Sequence, residues 1–308
     1  MSTALGYRTF GSADVQEFFD RPDPAPGPAE VLIRVMAAGV NPIDHLLRSG
    51  HVRELNGHLP FPQVLGIEAA GTVLAVGDEV AGLAVGDRVT GFALTGAGTY
   101  AETTLLLAES TARIPDALPE TWAATIPVAG TTALDVLDQL ALPAGASLLV
   151  NGIGGGVGTA VAQMARDRGL VVVGTGSAAK RDSATATGAA FVDYTAGDVV
   201  ARLRALAPDG FDAVVDTAGG DSLRAVAPLA ARPDALVSVG DGSVTELGGA
   251  PVHRRLDRSG LERVAALMVA GRLDPNVTAT YPLARAGEAL ALVESRHAAG
   301  KLVIDTGL

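Results

Sequence analysis

The stretch from Val150 to Lys180, VNGIGGGVGTAVAQMARDRGLVVVGTGSAAK, decides how the rest of the sequence is read. A glycine cluster stands between an apolar run that closes at Asn151 and a small-residue helix that starts near Val157. A second apolar run follows. Gly152, Gly154, Gly155, Gly156 and Gly158 occupy the turn. Glycines there let the backbone turn sharply, approach a pyrophosphate without a Cβ in the way, and pack the helix close to the strand. The helix N-terminus then offers free N–H groups and a partial positive charge to phosphates. A strict G-x-G-x-x-G count from Gly152 puts Val157 in the third glycine's place; the spacing that fits is Gly152, Gly155, Gly158. A tight turn with no ligand would also use glycines. The loop's place at the head of a βαβαβ run favours a dinucleotide.

Outward from this loop, strands and helices alternate. The sequence predicts strands over 147–151, 170–174, 190–193, 211–216 and 235–239. Helices are predicted over 157–168, 177–188, 197–206 and 221–231. Strands alternating with helices of this length imply a doubly wound parallel sheet, in an α/β chain. SLLVN, LVVVG and FDAVVD are near-continuous apolar runs, as expected of strands buried on both faces. Residues 1–120 read differently. EVLIRVMAAGV alternates at Val31, Ile33 and Val35, and AAGTVLAVGDEVAGLAVGDRVTGF is three apolar runs parted by Gly-Asp pairs, which predicts a β-barrel. RPDPAPGPAE is a loop. The tail predicts one helix and a final strand, KLVID, that returns to the first domain. The domains expected are 1–120, completed by about 276–308, and 121–275.

Composition narrows the function. The 308 residues suffice for two domains. A formal charge of −11 opposes phosphate backbones and anionic membranes, so neither nucleic acid nor membrane is expected as a partner. No cysteine is present, which excludes disulfides, thiolate metal sites and a Cys nucleophile. Neither a signal peptide nor an apolar run of about twenty residues is read, and a soluble, cytoplasmic protein is expected. A GxSxG elbow and a P-loop are absent, and no tyrosine has a lysine four residues later. His45, His51 and His58, with Asp44, Glu54 and Glu68 nearby, are spaced by six and seven. No helix face gathers them, so no metal is expected.

A dinucleotide site that prefers NAD carries an acid at the end of the second strand, which binds the ribose hydroxyls and repels a 2′-phosphate. Here that place reads Gly174, Thr175, Gly176, Ser177, and the next charges are Lys180 and Arg181. Ser177 can donate to a phosphate and Lys180 can offset its charge, which argues for NADP(H). Solvated helix-face charges are the alternative for Lys180 and Arg181.

Taken together, GVNPIDHLLRSG (39–50), PQVLGIEAAGTVLAVGDEVAGLAVGDRV (62–89), GTYAE, GTTAL, the glycine loop, DTAGG, YPLARAGEAL and GKLVI resemble the zinc-independent medium-chain dehydrogenase/reductases. The likeness is to the quinone oxidoreductase, zeta-crystallin-like branch and runs almost end to end. It implies a GroES-like β-barrel catalytic domain, a Rossmann domain, NADPH in the cleft between them and a homodimer. Zinc-using relatives place Cys where this chain has Asn41 and His where it has Ile67.

The resemblance also implies roles. Asn41 lies near nicotinamide and substrate as a positioning donor, and Thr132 contacts the nicotinamide end. Gly154, Gly155, Gly156 and Val157 form the pyrophosphate loop. Ser177, Lys180 and Tyr194 form the 2′-phosphate pocket, while Thr217 and Gly240 lie against the cofactor. Many members carry tyrosines where this chain has Leu46 and Val52; His51 is a candidate proton donor or a surface loop histidine. The expected activity is NADPH-dependent hydride transfer to a quinone or an α,β-unsaturated carbonyl. Its alternatives are an enoyl reductase acting on acyl thioesters and a non-catalytic NADPH-binding redox sensor.

Overall fold

The computed structural model describes residues 1–307. The chain forms two compact units, one of Met1–Val128, Leu256–Val269 and Val277 onward, the other of Ala129–Arg255 and Ala270–Asn276.

The first unit opens with β1 (Ser2–Tyr7), β2 (Gln16–Arg21), β3 (Glu30–Val40), α1 (Pro42–Ser49), α2 (Arg53–Asn56), β4 (Gln63–Val64), β5 (Glu68–Val76), β6 (Arg88–Ala93), β7 (Thr103–Arg113) and α3 (Glu120–Ala123). β3 is long enough to pair with β5 along most of its length and with β7 along its first half, which closes β3, β5, β6 and β7 on themselves as a barrel. The alternation seen in β3 points Val31, Ile33 and Val35 into the core, where they meet Val73, Val89 and Leu106. Only the outer two of the three Gly-Asp-parted runs are strands. Residues 77–87 are turns, because Gly82 and Gly86 adopt φ of +78° and +93°, which leave too few residues between them for a ladder. Leu83 from this loop plugs the core instead.

The second unit holds α4 (Thr131–Leu140), β8 (Ser147–Asn151), α5 (Gly156–Asp167), β9 (Val171–Gly176), α6 (Arg181–Ala186), β10 (Ala190–Asp193), α7 (Val199–Leu206), β11 (Ala213–Asp216), α8 (Gly220–Val226), β12 (Leu236–Ser238) and β13 (Ala250–Pro251). Its sheet is parallel in the order β10-β9-β8-β11-β12-β13. The chain reverses direction across the sheet between β8 and β11, the switch point where such sheets bind ligands. Leu148, Leu149, Val150, Val214 and Val215 are wholly buried, which is why these strands carry no polar alternation. Three helices are shorter than the sequence predicts, α7 only by its first two residues. Ala178–Lys180 forms a 3-10 turn before α6, and α8 stops at Val226 because Pro228 lacks the N–H that would continue it. β13 is two residues long and leaves no pattern to read.

The chain then returns to the first unit with α9 (Arg258–Val269), β14 (Val277–Pro282), α10 (Ala286–Glu294) and β15 (Lys301–Asp305). The sequence anticipated the last helix and strand but neither α9 nor β14. β14 is a sheet edge with little burial, so its residues carry no strong apolar signal. β15 lies between β14 and β3 and extends the barrel sheet. Among the described residues no helix is long and apolar enough to cross a membrane.

Candidate functional site

The carboxyl ends of four adjacent strands in the second unit are tied by one buried polar row. Register pairs Thr175 with Asn151, Asn151 with Asp216, and Asp216 with Ser238. Thr175 Oγ1 donates to Asn151 Oδ1 at 2.6 Å, Asn151 Nδ2 to Asp216 Oδ1 at 2.8 Å, and Ser238 Oγ to Asp216 Oδ2 at 2.8 Å. Asp216 also accepts the N–H groups of Ala218 and Gly219, which shapes the loop after β11. Each polar atom thus has a partner, as burial requires. The loops that leave this edge are fixed at their roots.

The glycine loop leaves β8 from this edge. Gly152 has φ +90°, and Thr217 Oγ1 would lie 2.4 Å from a Cβ there. A Cβ on Gly158 would lie 2.3 Å from the Gly152 carbonyl oxygen, so only glycine lets α5 approach the strand this closely. Gly155, the N-cap of α5, is different. It has φ −90°, and a Cβ would meet nothing nearer than the Gly152 oxygen at 3.8 Å. Two glycines of the Gly152, Gly155, Gly158 set therefore serve the fold. The third keeps open a space in front of the first-turn N–H groups of Gly156, Val157 and Gly158, which precede the first intrahelical bond. That cradle fits a pyrophosphate.

The next strand end brings Ser177, Lys180 and Tyr194 to the same edge. Ser177 caps the 3-10 turn after β9, and the Tyr194 N–H donates to Gly176 O at 3.1 Å, just beyond β10. The Lys180 stem lies over the loop: a Cβ on Gly154 would fall 2.5 Å from Lys180 Cδ. Burial disfavours the Lys180 ammonium and lowers its pKa; an anion beside it would favour the charged form again. Arg181 turns elsewhere, stacking 4.8 Å above the Phe191 ring. Thr217 Oγ1 donates to the carbonyls of Asn151 and Gly152 at 2.9 and 3.1 Å. Gly240 follows β12 on the same edge, exposed, with nothing where a Cβ would stand. Thr132 is in the first turn of α4 and buried.

Asn41 belongs to the first unit. It ends β3 and caps α1. Because β3 is antiparallel to both neighbours, its end meets the beginnings of β15 and β5, where Lys301 and Glu68 stand. Lys301 Nζ donates to Asn41 Oδ1 at 2.7 Å, to Glu68 Oε1 at 2.8 Å and to Val40 O at 3.3 Å. Asn41 Nδ2 donates to Glu68 Oε1 at 2.8 Å and to Gly39 O at 3.4 Å. Glu68 Oε2 accepts the Val128 N–H at 2.7 Å. All three side chains are buried. Gly39 admits this carboxylate, since a Cβ would stand 2.0 Å from Glu68 Oε1. The sequence reading made Asn41 a donor toward substrate. In the structure both of its N–H groups face protein acceptors, and its Oδ1 accepts from Lys301 Nζ and, in the capping box of α1, from the Asp44 N–H.

Asp44 lies beneath this network, on α1. Its Oδ2 accepts the Asn41 N–H and the Tyr100 hydroxyl, both at 2.8 Å. Its Oδ1 is buried with no hydrogen-bond partner among the described residues. Burial pushes the Asp44 carboxyl from 3.8 up to about 7, and pushes the Tyr100 hydroxyl far enough up that it stays a donor. The unfolded carboxyl ionises near its ordinary value while the folded one keeps its proton to about pH 7. Stability is therefore fully present below about pH 4 and lost as pH rises to about 7, by up to about 4 kcal/mol. Asp44→Asn keeps an acceptor for Asn41 and Tyr100 and cannot ionise. Its urea midpoint between about pH 5 and pH 8 should be flatter than wild type; equal slopes would remove Asp44 as the cause.

The histidines do not gather. His45 is partly buried on α1, with a pKa lowered by burial, while His51 and His58 are exposed. Among the described residues no group of three or more His, Asp and Glu could hold a metal ion. Asn151, Asp216, Ser238 and Lys301 were missed as site residues, and Glu68 was noticed only as a neighbour of histidines. The available signal was positional: each is a polar residue at the head or tail of an apolar strand.

Two family profiles match the chain: an alcohol dehydrogenase GroES-like domain over residues 27–116 and a zinc-binding dehydrogenase over residues 187–304. The human synaptic vesicle membrane protein VAT-1 homolog is 34% identical over 216 residues, 68% of this chain, and the match covers 54% of that protein, about half its length. The 2-methylene-furan-3-one reductase of Solanum lycopersicum is 32% identical over 98% of this chain and 78% of its own. Among solved structures, the Escherichia coli quinone oxidoreductase complexed with NADPH superposes with a TM-score of 0.88 at 26% identity, covering 98% of this chain and 99% of that one.

Proposed function

The chain belongs to the medium-chain dehydrogenase/reductases, in their zinc-independent quinone oxidoreductase branch, and on that premise we propose that it is an NADPH-dependent oxidoreductase that reduces a quinone or an α,β-unsaturated carbonyl. The observation that carries the proposal is Gly155, a glycine with no packing reason to be one, at the mouth of α5 and next to Gly154, over which the Lys180 stem lies. Gly154, Gly155, Gly156 and Val157 would hold the pyrophosphate, and Ser177, Lys180 and Tyr194 the 2′-phosphate. Thr217 and Gly240 would line the cofactor's path, and Thr132 and Asn41 its nicotinamide end.

When bound, NADPH supplies a hydride from nicotinamide C4. The protein's own part is to bind and orient the reacting atoms, with the product's proton taken from water or a nearby donor. The named substrate of the tomato relative has a methylene conjugated to a ring ketone, which supports an enone as acceptor. The same proposal takes the first unit as the catalytic domain and the second as the cofactor domain, so that residues 121–128 and 256–269, read from the sequence as part of the cofactor domain, fall in the catalytic one, and a cytoplasmic homodimer as the working form.

The test is NADPH oxidation with 1,4-benzoquinone, an ortho-quinone, a 2-alkenal and an enoyl thioester, with NADH as control. Turnover confined to the thioester would make the protein an enoyl reductase. Tight NADPH binding with no oxidation by any acceptor would make it a redox sensor. Lys180→Ala removes a charge-assisted contact of about 1.5–3 kcal/mol, so KM for NADPH should rise about 10–100-fold with little change for NADH. Equal effects on both cofactors would sink the 2′-phosphate role.

A further inference from the structure

We propose that Asn151 is a positioning residue for cofactor choice: held by Asp216, it turns its amide oxygen toward β9 and so requires a hydrogen-bond donor at residue 175, which shuts out the carboxylate by which an NAD-preferring site holds the ribose hydroxyls. The inference rests on the reading above that the end of β9 meets the adenosine ribose. Asp216 receives only donors: Asn151 Nδ2, Ser238 Oγ and the N–H groups of Ala218 and Gly219. An amide nitrogen only donates and an amide oxygen only accepts. With Nδ2 committed to Asp216, Oδ1 faces the other neighbour and accepts the Thr175 hydroxyl at 2.6 Å. The Ser222 hydroxyl stands 3.0 Å from Nδ2 and 3.3 Å from Oδ1, serves either, and does not set the direction. Thr175 Oγ1 also accepts the Gly152 N–H, at 3.3 Å. A carboxylate at 175 would keep that bond but set an oxygen against Asn151 Oδ1. Turning the amide over would move the same mismatch to Asp216. All three side chains are buried, so water does not relieve it. A carboxyl that kept its proton would donate to Oδ1 but carry no charge to repel a 2′-phosphate. Packing closes the residues on either side. A Cβ on Gly174 would lie 2.3 Å from Ile153 Cδ1 and 2.6 Å from Ile153 Cβ, and one on Gly176 would lie 2.9 Å from Phe191 Cε2. The strand end therefore offers an acid no place, and Ser177 is the first residue beyond it.

A row that only holds the sheet together would make the same bonds, so the test reads cofactor preference beside stability. Hydrogen exchange of the β8, β9 and β11 amides reports the row, and fluorescence titration gives Kd for NADPH and for NADH. Thr175→Ser keeps the donor and should match wild type in both. Thr175→Val keeps the shape and removes the donor, so protection should fall about tenfold. Thr175→Asp should lose protection as well and gain no affinity for NADH. Thr175→Asp with Asn151→Ser gives the new carboxylate a hydroxyl in place of the amide oxygen, while Asp216 keeps Ser238 and its two backbone N–H groups. This double variant should be better protected than Thr175→Asp and bind NADH at least about tenfold more tightly than it does, with NADPH weakened relative to wild type. Tighter NADH binding by Thr175→Asp alone would overturn the proposal. So would a Thr175→Val protein as well protected as Thr175→Ser, or a double variant that regains protection without NADH affinity. A wild-type protein that binds NADH as tightly as NADPH would instead overturn the cofactor reading and take this role with it.

Discussion

Glu68→Ala lowers the stability of the first unit by about 3–5 kcal/mol. The carboxylate is fully buried and serves three donors: Lys301 Nζ, Asn41 Nδ2 and the Val128 N–H. Truncation leaves a buried ammonium with two neutral acceptors, removes the carboxylate that accepts the Val128 N–H, and opens a cavity. Each of these costs free energy, and the unpaired charge dominates because its desolvation is no longer offset. A surface pair sets the scale for comparison. Glu17 pairs with Arg8 on β2, but both side chains are about half exposed, so Glu17→Ala should cost less than about 1 kcal/mol. Hydrogen exchange of the β3, β5 and β15 amides reads the difference within the unit itself, whether or not the two units unfold together. A Glu68→Ala protein as well protected as Glu17→Ala would show that the network contributes little.

Gly155→Asp should weaken NADPH binding by at least about a thousandfold while the fold persists. The backbone at Gly155 is in an ordinary region, and a Cβ there meets only the Gly152 oxygen, at 3.8 Å. The new carboxylate enters the space assigned to the pyrophosphate. Two like charges about 4 Å apart at an effective dielectric of about 20 repel by about 4 kcal/mol, which corresponds to about a thousandfold in affinity. Fluorescence titration with NADPH measures the loss, and circular dichroism reports the fold. Gly158→Ala is the contrasting variant. Its Cβ would sit 2.3 Å from a carbonyl oxygen, so it should injure the packing of α5 first and binding only as a consequence. Unchanged NADPH affinity in Gly155→Asp would remove the loop from the binding site.

The parts legible in the sequence were those with a local physical cause. Val31, Ile33 and Val35 announce a half-buried strand because alternate side chains face opposite ways. The glycine loop is legible because strand, turn and helix are contiguous. The middle run of residues 77–87 was misread because apolar composition alone does not say whether two turns leave room for a ladder. β13 and β14 escaped notice because one is two residues long and the other is a thinly buried edge. The Asn41 clamp was out of reach for another reason. Its two charges come from strands far apart in the sequence, Glu68 27 residues away and Lys301 260 residues away. Nothing near Asn41 signals that its amide direction is settled by β15.

That distance has a consequence for how the protein comes into being. Residues 41 and 68 leave the ribosome long before residue 301 is made. Until β15 emerges, β3 lacks its neighbour on that side, and the Glu68 carboxylate has no ammonium to meet. A nascent chain can assemble the barrel strands and even the whole nucleotide-binding sheet with the Asn41 amide still free to turn either way. Among the described strands β15 is made after all the others, so the ammonium that fixes the Asn41 amide arrives only once residue 301 has left the ribosome.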